Sequence, residues 1–223
     1  MRERGLLDDQ ERGRADQFLR DVPRYRFIVG RAGLRRLLGH YLQIDPKDVC
    51  LASDSNGKPR LAPPHAGDLR FNLSHSEDAI VYVIARGREV GVDVERIRTD
   101  LPVAAIAEQF FAPEEIAALR ALPPPARVQA FFVCWTRKEA YLKATGEGIG
   151  FGLDQFAVGI AGGGRRTVSS GNSERANNLW SIEDLSLTPD YVGAVAAAGT
   201  DWTLRRCTLD DCLRESERAL HPA

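Results

Sequence analysis

The sequence predicts an α+β fold, and three observations carry that expectation. Helix signals precede strand signals, and the same order then occurs a second time along the 223-residue chain. Residues 90–95 alternate Val90, Val92 and Val94 with Gly91, Asp93 and Glu95, the period of a strand with one apolar face. Trp135, Glu139 and Lys143 follow at i, i+4 and i+8, which a helix keeps on one stripe. A faint internal echo accompanies the repeated order: Phe27-Ile28-Val29-Gly30-Arg31 resembles Phe131-Phe132-Val133-Cys134-Trp135, and residues 76–85 resemble 188–197.

In chain order, a charged helix is expected over about residues 8–20 and a second over about 25–42. Residues 20–36 hold Arg20, Arg24, Arg26, Arg31, Arg35 and Arg36 against Asp21 alone, which reads as a partly solvated basic face suited to an acidic protein surface. A turn-rich stretch runs through Pro63-Pro64. Phe71-Asn72-Leu73-Ser74-His75-Ser76 reads as a polar loop entering an almost wholly apolar strand at 79–85. Arg86-Gly87-Arg88 then turns that strand back, as a hairpin, into the strand of Asp93 and Glu95. Pro113-Glu114-Glu115 opens a helix, Pro123-Pro124-Pro125 breaks the chain, and the Trp135 helix ends near Gly146-Glu147-Gly148. Strand signals resume to about Cys207. The glycines at 146, 148, 150 and 152 follow a helix instead of opening one, so they do not form a phosphate cradle.

With 43% hydrophobic residues the chain can bury a sizeable core, and its net charge of −1 argues against general nucleic-acid affinity. The apolar runs are far short of a membrane span, and the first residues carry no apolar signal core, which makes the cytoplasm the expected location. Cys50, Cys134, Cys207 and Cys212 lack paired metal spacing and read as reduced thiols, Cys134 in the core.

Asp93, Glu95 and Glu139 make an oxygen donor set of the kind that hard divalent cations take together with substrate phosphates. A solvated strand face and a surface helix explain either motif alone. The combination of both with Ser74-His75-Ser76 and with the cation of Gly57-Lys58-Pro59 favours a phosphate and metal site.

Taken in order, Gly57-Lys58-Pro59, Phe71-Asn72-Leu73-Ser74-His75-Ser76, Gly91-Val92-Asp93-Val94-Glu95 and Trp135-x-x-Lys138-Glu139-Ala140-x-x-Lys143 resemble the motif series of the 4′-phosphopantetheinyl transferases of the surfactin-synthetase-activating (Sfp-like) type. The resemblance covers about residues 14–156. It implies two similar, pseudo-twofold-related α/β halves in one chain, with the active site in the cleft between them. Residues 1–97 would form the N-terminal, coenzyme A-binding half, 98–215 the half with the Trp135 helix, and 216–223 a tail. One chain holding both halves implies a monomer. Family members commonly begin with a further strand, so either the first sheet lacks an edge or the start is truncated.

The implied reaction moves the phosphopantetheine arm of coenzyme A to a serine of an apo acyl or peptidyl carrier protein, releasing 3′,5′-ADP. By resemblance, Asp93, Glu95 and Glu139 hold Mg²⁺ on the pyrophosphate. Glu139 is the favoured general base, directly or through a metal-held water. Lys143 stabilises the transferring phosphate or protonates the departing one. Ser74 and His75 contact phosphate oxygens of coenzyme A, Lys58 and Pro59 its adenine end, and Arg26 helps grip the nucleotide. Two other readings use the same residues: a non-catalytic module that binds coenzyme A or carrier protein, and a Mg²⁺-dependent nucleotide phosphohydrolase.

Overall fold

The computed structural model describes residues 2–147, 152–160, 164–168 and 179–220. The chain divides into two compact units, one of Met1–Ala52, Leu61–Gly67 and Thr203–Ala223, the other of Ser53–Arg60 and Asp68–Trp202.

The first unit holds α1 (Asp9–Asp16), α2 (Asp21–Leu42) and, at its C-terminal end, α6 (Leu209–Leu220). Asp8 caps α1 by accepting the Glu11 amide, while the Glu11 carboxylate returns to the Asp8 amide. Instead of lying on a solvated basic face, the Arg35 side chain is 0% exposed. Its Nε donates to Glu11 Oε2 at 2.6 Å, its other nitrogens to Asp8 and to the carbonyls of Val49 and Pro46. An arginine fork can enter a core when every donor finds an acceptor, and local charge density on one helix gives no sign of those distant partners. The basic face is therefore narrower than the sequence suggests. Arg31 is also largely buried, and burial lowers its pKa against the opposing pull of Glu11.

The structure also corrects the reading of the cysteines, since Cys207 and Cys212 are joined by a disulfide with Cα atoms 6.0 Å apart. Their approach follows from the chain turning into α6 between them. Cys50 is free and exposed; Cys134 is free and buried, which pushes its thiol pKa well up.

Two short strands, β1 (Leu51–Ser53) and β2 (Pro59–Leu61), precede the sheets of the second unit. Residues 71–76 prove to be strand and not loop: β3 (Leu69–Ser76) pairs antiparallel with β4 (Ala79–Arg86) along its whole length. The hairpin expected between β4 and the acidic strand is replaced by this one. The acidic strand, β5 (Val90–Arg96), instead pairs antiparallel with β8 (Tyr191–Ala198), in a four-stranded sheet of order β5-β8-β7-β6. β6 is Arg166–Val168 and β7 is Trp180–Ser186.

Between the sheets in sequence come α3 (Val103–Phe110), α4 (Pro113–Ala121) and α5 (Pro124–Thr145). The triple proline is both break and start, because Pro124 and Pro125 occupy the first turn of α5, where a missing N–H costs nothing. Gly146 ends the helix in left-handed conformation, φ 76°; Gly148 and Gly150 lie outside the described residues. Phe131, Phe132, Tyr141 and Leu142 of α5 pack with Phe111, Phe156, Trp180 and Ile182 into the main core. The sequence echoes fall on matching elements: α2 and α5 each run 22 residues, and β4 and β8 each close an antiparallel pair.

α5 approaches β5 most closely at Gly91, where a Cβ would stand 2.2 Å from the Ala140 carbonyl oxygen and 2.3 Å from the Ala144 amide nitrogen. Gly91→Ala must therefore push backbone from backbone. We expect a loss of about 1–3 kcal/mol or more in urea unfolding, as for an overpacked core; unchanged stability would show that the two elements can part freely.

Candidate active site

β5 carries two carboxylates on the face that meets α5, because Asp93 and Glu95 follow Gly91 at strand period. Val90, Val92 and Val94 are buried on the other face. The acidic face is not solvated, since Asp93 is 3% exposed. From α5, Glu139 and Lys143 project toward the same place, one turn apart and flanking the contact at Ala140.

Lys143 Nζ donates to Asp93 Oδ1 at 2.6 Å and to Ser74 Oγ at 3.1 Å. Ser74, buried on β3, in turn donates to Asp93 Oδ1 at 2.8 Å. Asp93 Oδ2 is buried and has no hydrogen-bond partner among the described residues. Burial pushes the Asp93 carboxyl above its usual range, against the pull of Lys143 and Ser74. Glu95 shifts upward through burial, with Ser76 opposing and Asp93 assisting. Glu139 shifts upward through burial and then through the charges of Asp93 and Glu95, with Lys143 opposing. Three carboxylates thus repel one another around a single lysine.

Among the described residues no group of three or more His, Cys, Asp or Glu side chains converges as a metal site; in this arrangement Lys143 holds Asp93. The donor chemistry still fits a hard cation. An unpartnered buried carboxylate oxygen and three mutually repelling carboxylates are what a divalent ion relieves.

The remaining residues singled out by sequence are distributed as follows. His75 is exposed on β3, on the strand face opposite Ser74. Gly57, at φ 82°, and Asp54, whose Oδ1 accepts the amides of Asn56 and Lys58, shape the turn before Pro59. Lys58 Nζ lies inside, donating to Glu89 Oε2 at 3.3 Å and to the carbonyls of Val90 and Ala144 at 3.1 and 3.2 Å. Burial lowers its pKa, with Glu89 opposing. Arg26 stands half-buried on α2, in the first unit.

Three residues of the quoted motifs have roles that the sequence did not assign. Gly91 allows the close approach, and Asn72 and Ser76 share the strand face of Ser74. Their signal was the 72, 74, 76 alternation, hidden because a polar stretch reads as loop.

Each of the three acids binds a proton more readily folded than unfolded. Their contribution to ligand-free stability is thus full below the ordinary carboxylate pKa and is lost as pH rises through the raised folded values. Glu139→Gln should raise the ligand-free melting temperature at neutral pH, by about 2–4 °C per kcal/mol of relieved repulsion. Near pH 4 it should change it little. A lower melting temperature at neutral pH in scanning calorimetry would contradict the repulsion.

No helix among the described residues is long and apolar enough to cross a membrane. A family model for the 4′-phosphopantetheinyl transferase superfamily matches residues 89–196, and one for the 4′-phosphopantetheinyl transferase N-terminal region matches residues 3–87. The 4′-phosphopantetheinyl transferase HetI of Nostoc sp. is 36% identical over 88% of this chain and 80% of its own. The 4′-phosphopantetheinyl transferase psf-1 of Bacillus pumilus is 31% identical over 83% and 76%, and Sfp of Bacillus subtilis 25% identical over 88% and 84%. With its carboxylate and lysine cluster carried inside the first of these matched regions, the chain belongs to the 4′-phosphopantetheinyl transferase superfamily.

Proposed function

We propose that this transferase depends on Mg²⁺ and runs its chemistry at Asp93, Glu95, Glu139 and Lys143. The chain transfers the 4′-phosphopantetheine arm of coenzyme A to a serine of an apo carrier protein, giving holo-carrier and 3′,5′-ADP. The observation that carries the metal reading is the buried Asp93 Oδ2, unpartnered among the described residues, beside Glu95 and Glu139, whose carboxyls burial and then neighbouring acid charge push upward. Asp93, Glu95 and Glu139 would hold the ion. When bound, it supplies charge neutralisation at the pyrophosphate and polarises the phosphoryl group under attack.

Glu139 takes the proton of the carrier serine, a role suited to a carboxylate whose surroundings make it more basic than usual. Lys143, its side chain 31% exposed, presents its ammonium beside Asp93, where negative charge gathers on the transferring phosphate. His75 contacts coenzyme A phosphates. Pro59 lies at its adenine end. Lys58 serves that end by fixing the Gly57-Lys58-Pro59 turn, its own ammonium being engaged inside. Ser74 acts from behind Asp93 and Lys143.

We read the chain as two related halves, residues 1–97 and 98–215, with 216–223 as a tail, since each half contains a 22-residue helix and an antiparallel strand pair. It works as a monomer, because one chain supplies both the strand acids and the helix residues.

Intact mass of an apo carrier protein, after incubation with the enzyme, coenzyme A and Mg²⁺, tests the reaction. The expected gain is one phosphopantetheine, absent with EDTA and absent when the acceptor serine is alanine. A bound but untransferred coenzyme A would favour the binding module, and 3′,5′-ADP without carrier the hydrolase. Glu139→Gln should lower kcat about 10²–10⁴-fold, the span of general acid–base catalysis, and Asp93→Asn should abolish transfer. Lys143→Ala should lower kcat more than it weakens coenzyme A binding, as measured by calorimetry. Full activity in Glu139→Gln would remove it from the mechanism.

A further inference from the structure

β3 and β5 are not neighbours in a backbone ladder, yet β3 side chains bond β5 at three successive rungs. Asn72 Oδ1 accepts the amide N–H of Val92 at 3.0 Å, Ser74 Oγ that of Val94 at 3.4 Å, and Ser76 Oγ that of Arg96 at 3.1 Å. The two serines then repeat one arrangement. Ser74 donates to the carboxylate of Asp93, and Ser76 donates to Glu95 Oε2 at 2.8 Å. In each case one hydroxyl holds a β5 amide with its lone pair and the preceding carboxylate with its proton. At the first rung the preceding residue is Gly91, so Asn72 bonds backbone alone.

We propose that Ser76 is a positioning residue for Glu95, fixing that carboxylate's rotamer so that it is ready for the cation proposed above. The inference rests on the metal reading. A free glutamate side chain samples several rotamers, and a group that holds a metal-binding carboxylate in place raises affinity by sparing that ordering on binding. Ser76 is suited to this more than to stabilising the fold. It is the last residue of β3, only half-buried, and its amide partner belongs to the exposed Arg96, where water can replace it.

The test is a Mn²⁺ titration of the full chain with coenzyme A present, followed by electron paramagnetic resonance of free Mn²⁺. The parent is compared with Ser76→Ala, Ser76→Thr and Glu95→Gln. Ser76→Ala is expected to weaken Mn²⁺ about 10-fold, the lower end of the effect of such supporting residues. Ser76→Thr, which keeps the hydroxyl, should stay near the parent. The Mg²⁺ concentration for half-maximal transfer should rise by the same factor, with kcat at saturating metal and the melting temperature in EDTA little changed. If the parent and Glu95→Gln bind Mn²⁺ alike, or the parent does not bind, the metal reading fails and takes this inference with it. If Glu95→Gln weakens binding but Ser76→Ala does not, the inference alone is overturned. It is also overturned if Ser76→Thr is impaired as much as Ser76→Ala, or if Ser76→Ala melts early enough to account for the loss.

Discussion

Everything at the site depends on how near the backbone of α5 lies to β5. At Gly91 no side chain keeps them apart, and the Ala140 carbonyl and Ala144 amide occupy the space that a Cβ would fill. Side-chain positions follow from that contact by counting. Along β5, two and four residues beyond it on the same face, stand Asp93 and Glu95; along α5, to either side of Ala140, stand Glu139 and Lys143. Backbone proximity thus becomes side-chain proximity, and Lys143 meets Asp93 at 2.6 Å. Were α5 to rise off the strand, water would enter between these groups. Their mutual influence would then fall with both distance and dielectric.

The electrostatics of the site contrast with those of the fold around it. Arg35, Arg137 and Lys138 are also buried cations, but each is answered in full. Arg137 binds Asp184 with two nitrogens, at 2.7 and 2.6 Å, and gives a third bond to the Gly159 carbonyl. Lys138 pairs with Glu115 at 2.7 Å and donates to the carbonyls of Leu153 and Phe156. Removing one partner of such a pair costs about 3–5 kcal/mol, because a buried charge is left uncompensated. Asp93, Glu95 and Glu139 stand in the opposite condition: three acids, one lysine, and a carboxylate oxygen with no donor among the described residues. That imbalance is tolerated because the aromatic core under α5 holds the helix in place whatever the acids do. A ligand that brings positive charge would relieve that imbalance.

How much of this was legible in the sequence depended on where each residue's partner lay. Asp93 and Glu95 could be placed on one face because the alternating valines are their own neighbours, and Glu139 with Lys143 because a helical turn separates them. β3 could not, since the partners that satisfy Asn72, Ser74 and Ser76 lie 20 residues away in β5, and without them a stretch with four polar residues in six looks like a loop. Arg35 was misread for the same reason, its carboxylates being 24 and 27 residues off. The hairpin was assigned one strand too late because β4 and β5 are joined by a short turn, while β5 takes its ladder from β8, about a hundred residues on. Local periodicity showed what each segment presents; pairing at long range decided what it met.

The Trp135 to Lys143 segment shows why a motif is a poor guide to which of its residues face the candidate site. Successive residues on a helix point roughly 100° apart, so Lys138 and Glu139 diverge although they are adjacent. Glu139 turns to β5. Lys138 turns into the core, its ammonium 4.5 Å from the centre of the Phe156 ring and paired with Glu115. Glu115 carries the constraint onward, its Oε1 accepting the amides of Val158 and Gly159 and its Oε2 that of Ala112. Arg137, one step back, ties the helix to Asp184 on β7. A helix bonded on these faces and pressed against Gly91 on another has no freedom to roll about its axis. The direction in which Glu139 and Lys143 point is then set by residues that never approach the β5 carboxylates.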